Sequence, residues 1–210
     1  MHLTTLPRRL LAAGAAATVL FTATAAATGT AAAAPSPAPA AHPAPAAHSS
    51  YAALRPLAAL SAERDAVGDL VAAAKWGTGG PIDDPAREQQ VLDAVAAQAR
   101  QLGADPAATK RIFRDQIEAS KVVQRELHRR WTADPGQVPA ERPDLNEVRE
   151  KINRINTGLV RAIAASDAAR SAPQCPVALG AAAGQVWHAQ RLDALHTAAL
   201  ARALRSVCGG

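Results

Sequence analysis

The chain has 210 residues, 49% hydrophobic yet only 3% aromatic, with 20% charged and a formal net charge of +5. That length allows a single domain with its own core, and so modest a basic excess does not by itself argue for a nucleic-acid partner. No Gly-rich phosphate loop, His/Cys metal spacing or G-x-S-x-G elbow occurs, so neither a hydrolase nor a cofactor enzyme is supported.

At the N-terminus, Arg8 and Arg9 precede an apolar run from Leu10 to about Phe21 and an Ala/Thr tract with several A-x-A sites. This is the layout of a secretory signal peptide, with cleavage expected between Ala27 and Ala34. The run is shorter than the roughly 20 apolar residues a spanning helix needs, so no membrane association is expected after cleavage. Pro7 and the lack of a full twin-arginine consensus favour the general secretory route. Residues 1–34 are therefore read as a leader of an exported, secreted or periplasmic protein. Losing Arg8 and Arg9 with it takes the formal charge from +5 to +3. Residues 35–50, almost wholly Ala, Pro, His and Ser, read as a disordered tether, and residues 51–210 as the folded domain.

Within that domain Ala is abundant, and Gly and Pro cluster between long stretches without them, which is helical composition. An all-α fold of about five to six helices is expected. The first helix should run from about Leu57 to Trp76, with Leu60, Val67, Leu70 and Val71 on its apolar side, and end in the segment Gly77 to Pro81. Asp83 or Asp84 then caps a second helix with Pro85 in its first turn, carrying Leu92 and Val95 and reaching Gly103. Asp105-Pro106 repeats the signal for a third, which places Phe113, Ile117 and Leu127 on one face and lasts to about Trp131. A Pro-rich loop from Asp134 to Pro143 follows. Asp144 caps the fourth helix, whose Val148, Ile152, Ile155, Leu159 and Ile163 recur at three and four. A final helical pair spans Pro176 to Val207. No strand alternation appears.

Cys175 and Cys208 are the chain's two cysteines, and in an exported protein a disulfide between them is the default reading. An unbroken helix between them would separate its ends by roughly 50 Å, whereas disulfide-bonded Cα atoms lie within about 7 Å. The segment must turn back on itself, at Gly180, at Gly184 or in the polar run His188 to Asp193. Closing a loop of this length stabilises a fold by roughly 3–4 kcal/mol in the chain-entropy treatment.

Several polar side chains stand near helix ends or apolar faces: Arg64, Lys75, Arg87, Gln124 and Arg149. Such an array suits a small polyanion, although each residue alone could be a solvated charge. Lys110, Arg114, Lys121, Arg125 and Arg129 form a helix-spaced stripe that is read as a solvated face, because acids intersperse it and stacking aromatics do not. His188 and His196 share a helical face without a third ligand, so surface histidines are expected rather than a metal site. Trp76, Trp131 and Trp187 are read as core or rim packing.

The stretches AERDAVGDLVAAAKW, PIDDPAREQQVL, FRDQIEASKVVQ and PDLNEVREKI, followed by the two cysteines, resemble the exported gamma subclass of the AroQ-type chorismate mutases. The resemblance runs from about Leu57 to Cys208 with the spacing between motifs preserved. It implies an isomerase that converts chorismate to prephenate, with no cofactor and no metal, most simply as a homodimer whose site lies within each chain. Arg64, Arg87 and Arg149 then look like the arginines around a dianionic substrate. Lys75 and Gln124 look like the pair on the ether oxygen of the breaking C–O bond, and Asp84 and Glu88 like the acids near the ring hydroxyl. Ser120 sits where the family places a small hydroxyl residue beside a carboxylate. Arg64, Lys75, Glu88 and Gln124 are the expected catalytic set, and Cys175 and Cys208 match the subclass disulfide.

These residue types suit a concerted pericyclic step, which needs no nucleophile or proton shuttle. The enzyme must hold the enolpyruvyl chain in a near-attack chair and stabilise charge growing on the ether oxygen. Arginine forks pair bidentately with carboxylates, and an amide at Gln124 can donate at every physiological pH. The competing expectation is a non-enzymatic helical protein that binds an acidic polymer or partner through the basic stripe.

Overall fold

A computed structural model describes residues 45–209. The expected signal peptide, its expected cleavage site and the part of the expected tether before Pro45 lie outside the described residues. The described part is all-helical: α1 (Pro45–Lys75), α2 (Pro85–Gln101), α3 (Pro106–Ala133), a 3-10 turn (Pro135–Gln137), α4 (Leu145–Ala165), α5 (Asp167–Ser171), α6 (Cys175–Gln190) and α7 (Ala194–Ala203).

The start signals read from sequence operate as local chemistry. Asp84, not Asp83, caps α2, accepting the Arg87 N–H at 3.0 Å. Asp105 takes the Ala107 and Ala108 N–H groups at 2.9 and 3.1 Å. Asp144 takes those of Asn146 and Glu147 at 2.7 and 3.1 Å. Each cap satisfies donors that the first helical turn would otherwise leave unpaired.

α1 is the central element and packs against α3, α4, α5, α6 and α7, while α2 covers α3 and α4. Leu54, Leu57, Ile112, Phe113, Leu159, Val160 and Ile163 are buried in the resulting core. α1 starts twelve residues earlier than expected, and the last six residues assigned to the tether are helical. Pro56 cannot donate a backbone bond and marks a break by propensity. Packing overrides it, because Leu54 is fully buried and Tyr51 rests on the core. The Ser50 hydroxyl also takes a hydrogen bond from Gln174 of the segment before α6 at 3.2 Å. Leu70, expected on the apolar side, is exposed, and that side of α1 carries the polar Ser61, Arg64 and Asp65 instead.

Of the three candidate break points, the C-terminal hairpin uses the polar run His188 to Asp193. Gly180 and Gly184 lie inside α6. The chain reverses at Arg191, held in the left-handed region at φ 50°, with Asp193 capping α7 through the His196 N–H at 2.8 Å. This turn brings Cys175 and Cys208 into the disulfide, with Cα atoms 5.8 Å apart. Trp131 is buried against Ala72 and Ala73, and Trp76 packs edge-on to it. Trp187 is 51% exposed and lies outside the core.

Candidate active site

Two close helix crossings create the cleft. Gly68 of α1 sits where a Cβ would come within 3.2 Å of Val123 and 3.6 Å of the Ser120 hydroxyl, so α3 lies tight against α1. Gly158 of α4 likewise leaves no more than 3.3 Å to Leu60. Beside these crossings, lined by α1, α2, α3 and α4, opens a half-enclosed cleft of about 110 Å³.

Arg64, Lys75, Asp84, Arg87, Glu88, Ser120, Gln124 and Arg149 all line this cleft. The eight come from four helices, α1 to α4, and from the cap before α2. Val71, Val91, Ile117 and Ile152 add apolar walls, and Lys121 adds a further cation. The lining therefore couples a surplus of positive charge to a small apolar surface, which fits a compact ring bearing two carboxylates. No His or Cys lines it. Among the described residues no group of three His, Cys, Asp or Glu side chains is placed to hold a metal.

Arg64 is buried rather than solvated. Its Nε donates to Asn156 Oδ1 at 3.0 Å and its Nη1 to the Gln116 carbonyl at 2.6 Å. Burial lowers its pKa to about 10, against the opposing pull of Asp65, so it stays charged at neutral pH. Lys75 ends α1 and donates from Nζ to the Pro81 carbonyl at 2.8 Å, which ties the loop before α2 to the cleft floor. Burial also lowers the Lys75 pKa; Asp84 works against this and Arg149 adds to it.

Gln124 and Ser120 share a face of α3, as their spacing predicts. Gln124 Nε2 donates to the Ser120 hydroxyl at 3.1 Å and to the Ser120 carbonyl at 3.2 Å, while its Oε1 is buried without a partner. Amide oxygen and nitrogen exchange places by a half-turn of the end group. In that second orientation Oε1 accepts a hydrogen bond from the Ser120 hydroxyl, and Nε2 takes the unpartnered place of Oε1, free to donate to an acceptor that reaches it.

Three features escaped the sequence reading. Asn156 orients Arg64 from α4, but a lone Asn within an amphipathic helix carries no signal of its own. Lys121 belonged to the solvated stripe, yet it is 7% exposed and turned into the cleft. Its neighbours in the stripe are largely spent in ion pairs: Lys110 with Asp93, Arg125 with Asp83 and Arg129 with Glu126. That leaves little free charge for an acidic polymer. Finally, His196 is no simple surface histidine, since it bridges Asp69 at 3.1 Å and Asp193 at 2.8 Å.

The family model described as chorismate mutase type II matches residues 55–125, the stretch that holds α2 and most of α1 and α3. The secreted chorismate mutase of Mycolicibacterium smegmatis is 38% identical over 155 residues, covering 74% of this chain and 86% of its own. That of Mycobacterium tuberculosis is 34% identical, covering 74% and 78%. The crystal structure of chorismate mutase from Burkholderia phymatum is similar with a TM-score of 0.72 at 34% identity, over 77% of this chain and 99% of that one.

Proposed function

The chain belongs to the chorismate mutases of type II, and we propose that it works as an exported member of the gamma subclass that isomerises chorismate to prephenate in the cleft between α1, α2, α3 and α4. The convergence of eight separately expected side chains on one cleft carries this assignment of the site. The names of its secreted relatives and the leader-like N-terminus support export.

In the rearrangement one C–O bond breaks as one C–C bond forms within the same molecule, so atoms and electrons balance without any added group. Arg64, Arg87 and Arg149 pair with the two carboxylates and restrict the side chain to a reactive chair. Arg64 suits this task because Asn156 and the Gln116 carbonyl hold its fork in place before substrate arrives. Lys75 and the turned amide of Gln124 meet the ether oxygen where negative charge accumulates, in a site whose apolar walls lower the local dielectric. Asp84 and Glu88 accept from the ring hydroxyl, and the Ser120 hydroxyl supports a carboxylate. Each chain holds a full set of these residues, and we take the assembly to be a homodimer.

The oxidised protein with its leader removed should consume chorismate, followed by ultraviolet absorbance, with matching appearance of prephenate. Lys75→Ala and Arg64→Ala should each lower kcat/KM by about a hundred- to a thousand-fold. Absence of turnover by folded wild-type protein would overturn the reading. Light scattering at micromolar concentration checks the dimer.

A further inference from the structure

Lys121 follows Ser120 on α3 and reaches into the cleft from a position whose sequence context marks it as surface. Its Nζ lies 3.0 Å from Glu88 Oε1, 2.6 Å from Glu118 and 3.1 Å from Asp83. The three carboxylates come from the first turn of α2, from α3 itself and from the loop before α2. Burial alone would lower the Lys121 pKa. The hydrogen bonds it donates to Glu118, Glu88 and Asp83 outweigh it and hold the ammonium's pKa above the ordinary lysine value.

We propose that Lys121 is a positioning residue for the rearrangement: by binding one carboxylate oxygen of Glu88 it aims the other at the ring hydroxyl of the substrate. The proposal rests on the reading of the cleft as the chorismate site. A glutamate in the first turn of a helix has a competing attraction, because unpaired backbone N–H groups and the helix dipole draw it back toward the N-terminus. Only a fixed cation on the opposite wall keeps such a side chain facing the cleft, and a charge-assisted hydrogen bond supplies both energy and direction. Without Lys121, the carboxylates of Asp83, Glu88 and Glu118 converge with no ammonium between them, and Glu88 turns away. Arg125 holds Asp83 independently, at 2.7 and 2.8 Å. The loop before α2 therefore stays pinned to α3 when Lys121 is lost, which separates the aim of Glu88 from the stability of the wall.

The experiment is a double-mutant cycle on chorismate turnover by the oxidised protein, with Lys121→Met, Glu88→Gln and the two combined, plus Lys121→Arg. Lys121→Met should lower kcat/KM by tenfold or more, and Lys121→Arg should restore most of it. In the Glu88→Gln background the same Lys121→Met change should cost less than twofold, because there is no longer a carboxylate to aim. Equal losses in both backgrounds, or no loss in the single variant, would overturn the proposal. Lys121→Gln replaces Lys121→Met in the cycle should the latter fail to fold. Failure of the chorismate reading itself shows separately, as wild-type protein without turnover.

Discussion

Arg64 on α1 donates from Nε to Asn156 Oδ1 on α4 across 3.0 Å, and this bond fixes the guanidinium on the core-facing side of its helix, as the anion clamp proposed for it requires. The two helices are brought into reach by Gly158, two residues beyond Asn156, where α4 touches Leu60. Removing the amide leaves Arg64 with the Gln116 carbonyl and a swinging fork. Asn156→Ala should lower kcat/KM for chorismate by about 10- to 100-fold, the worth of one hydrogen bond to a charged group. Steady-state kinetics check this, and circular dichroism verifies that the helices remain.

The contact proposed between Gln124 and the ether oxygen predicts the pH response. An amide donor does not titrate, so wild-type kcat/KM should stay within about threefold from mildly acid to neutral pH. Gln124→Glu donates only when protonated, and a carboxyl with an ordinary pKa of about 4.3 loses that ability as pH rises. The variant should keep activity at low pH and fall steeply toward neutrality. A pH–rate profile of both proteins decides it, and a flat profile for the variant would remove Gln124 from the ether oxygen.

The seam between α1 and α7 should make stability fall toward alkaline pH. His196 has its pKa raised to about 9, first by its hydrogen bond to Asp69, with burial opposing and Asp193 assisting. A raised histidine contributes stability that is fully present below its unfolded value near 6.5 and lost as pH climbs through 9. Asp65 has both oxygens without partners. Burial raises its pKa to about 7, with Arg64 and His196 opposing. Its proton is held more firmly in the folded state, so stability also falls as pH rises from about 4 to 7. Both effects have the same sign, and the thermal midpoint should drop between pH 6 and 9.5. Asp65→Asn should raise that midpoint at pH 8 while changing it little below pH 4. An unchanged midpoint at pH 8 would count against a charged, unpartnered Asp65.

The Cys175–Cys208 bond closes a span of 33 residues that contains α6 and α7. Reducing it frees the unfolded chain and should cost roughly 3–4 kcal/mol, or about 10 °C in thermal midpoint for a domain of this size. All eight cleft residues lie on α1 to α4 or the cap before α2, so the reduced protein should still turn over chorismate below its lowered midpoint. Melting curves with and without reductant, paired with assays at 20 °C, test both statements.

The helices and their starts were legible from local chemistry, because Asp-Pro and Asp-Leu steps cap a helix whatever surrounds them. The eight cleft residues were legible only jointly, through motifs whose spacing resembles a known family. Alone, Arg64 and Lys75 look like ordinary surface charges. The misreadings were of another kind. From sequence the first helix begins at about Leu57, twelve residues after its actual start, and Gly180 is one of the offered break points, since propensity speaks for one residue and its nearest neighbours. Leu54 against the core extends α1 back to Pro45, and Leu179 and Ala182, buried on either side of Gly180, carry α6 through it.

By itself, then, the sequence determined the all-helical class, the caps, the disulfide pair and the set of groups available to hold a dianion. Those properties depend on residue type and on spacing along the chain. Which charges face inward was decided by tertiary structure alone. Lys121 and Arg125 are neighbours in one stripe on α3, yet Lys121 turns into the cleft while Arg125 stays exposed and pairs with Asp83. The two part ways because the close crossing at Gly68 and the cover of α2 fix which side of α3 loses its water. Burial of a cation is tolerable where acceptors from other elements come to meet it, carboxylates for Lys121 and uncharged oxygens for Arg64.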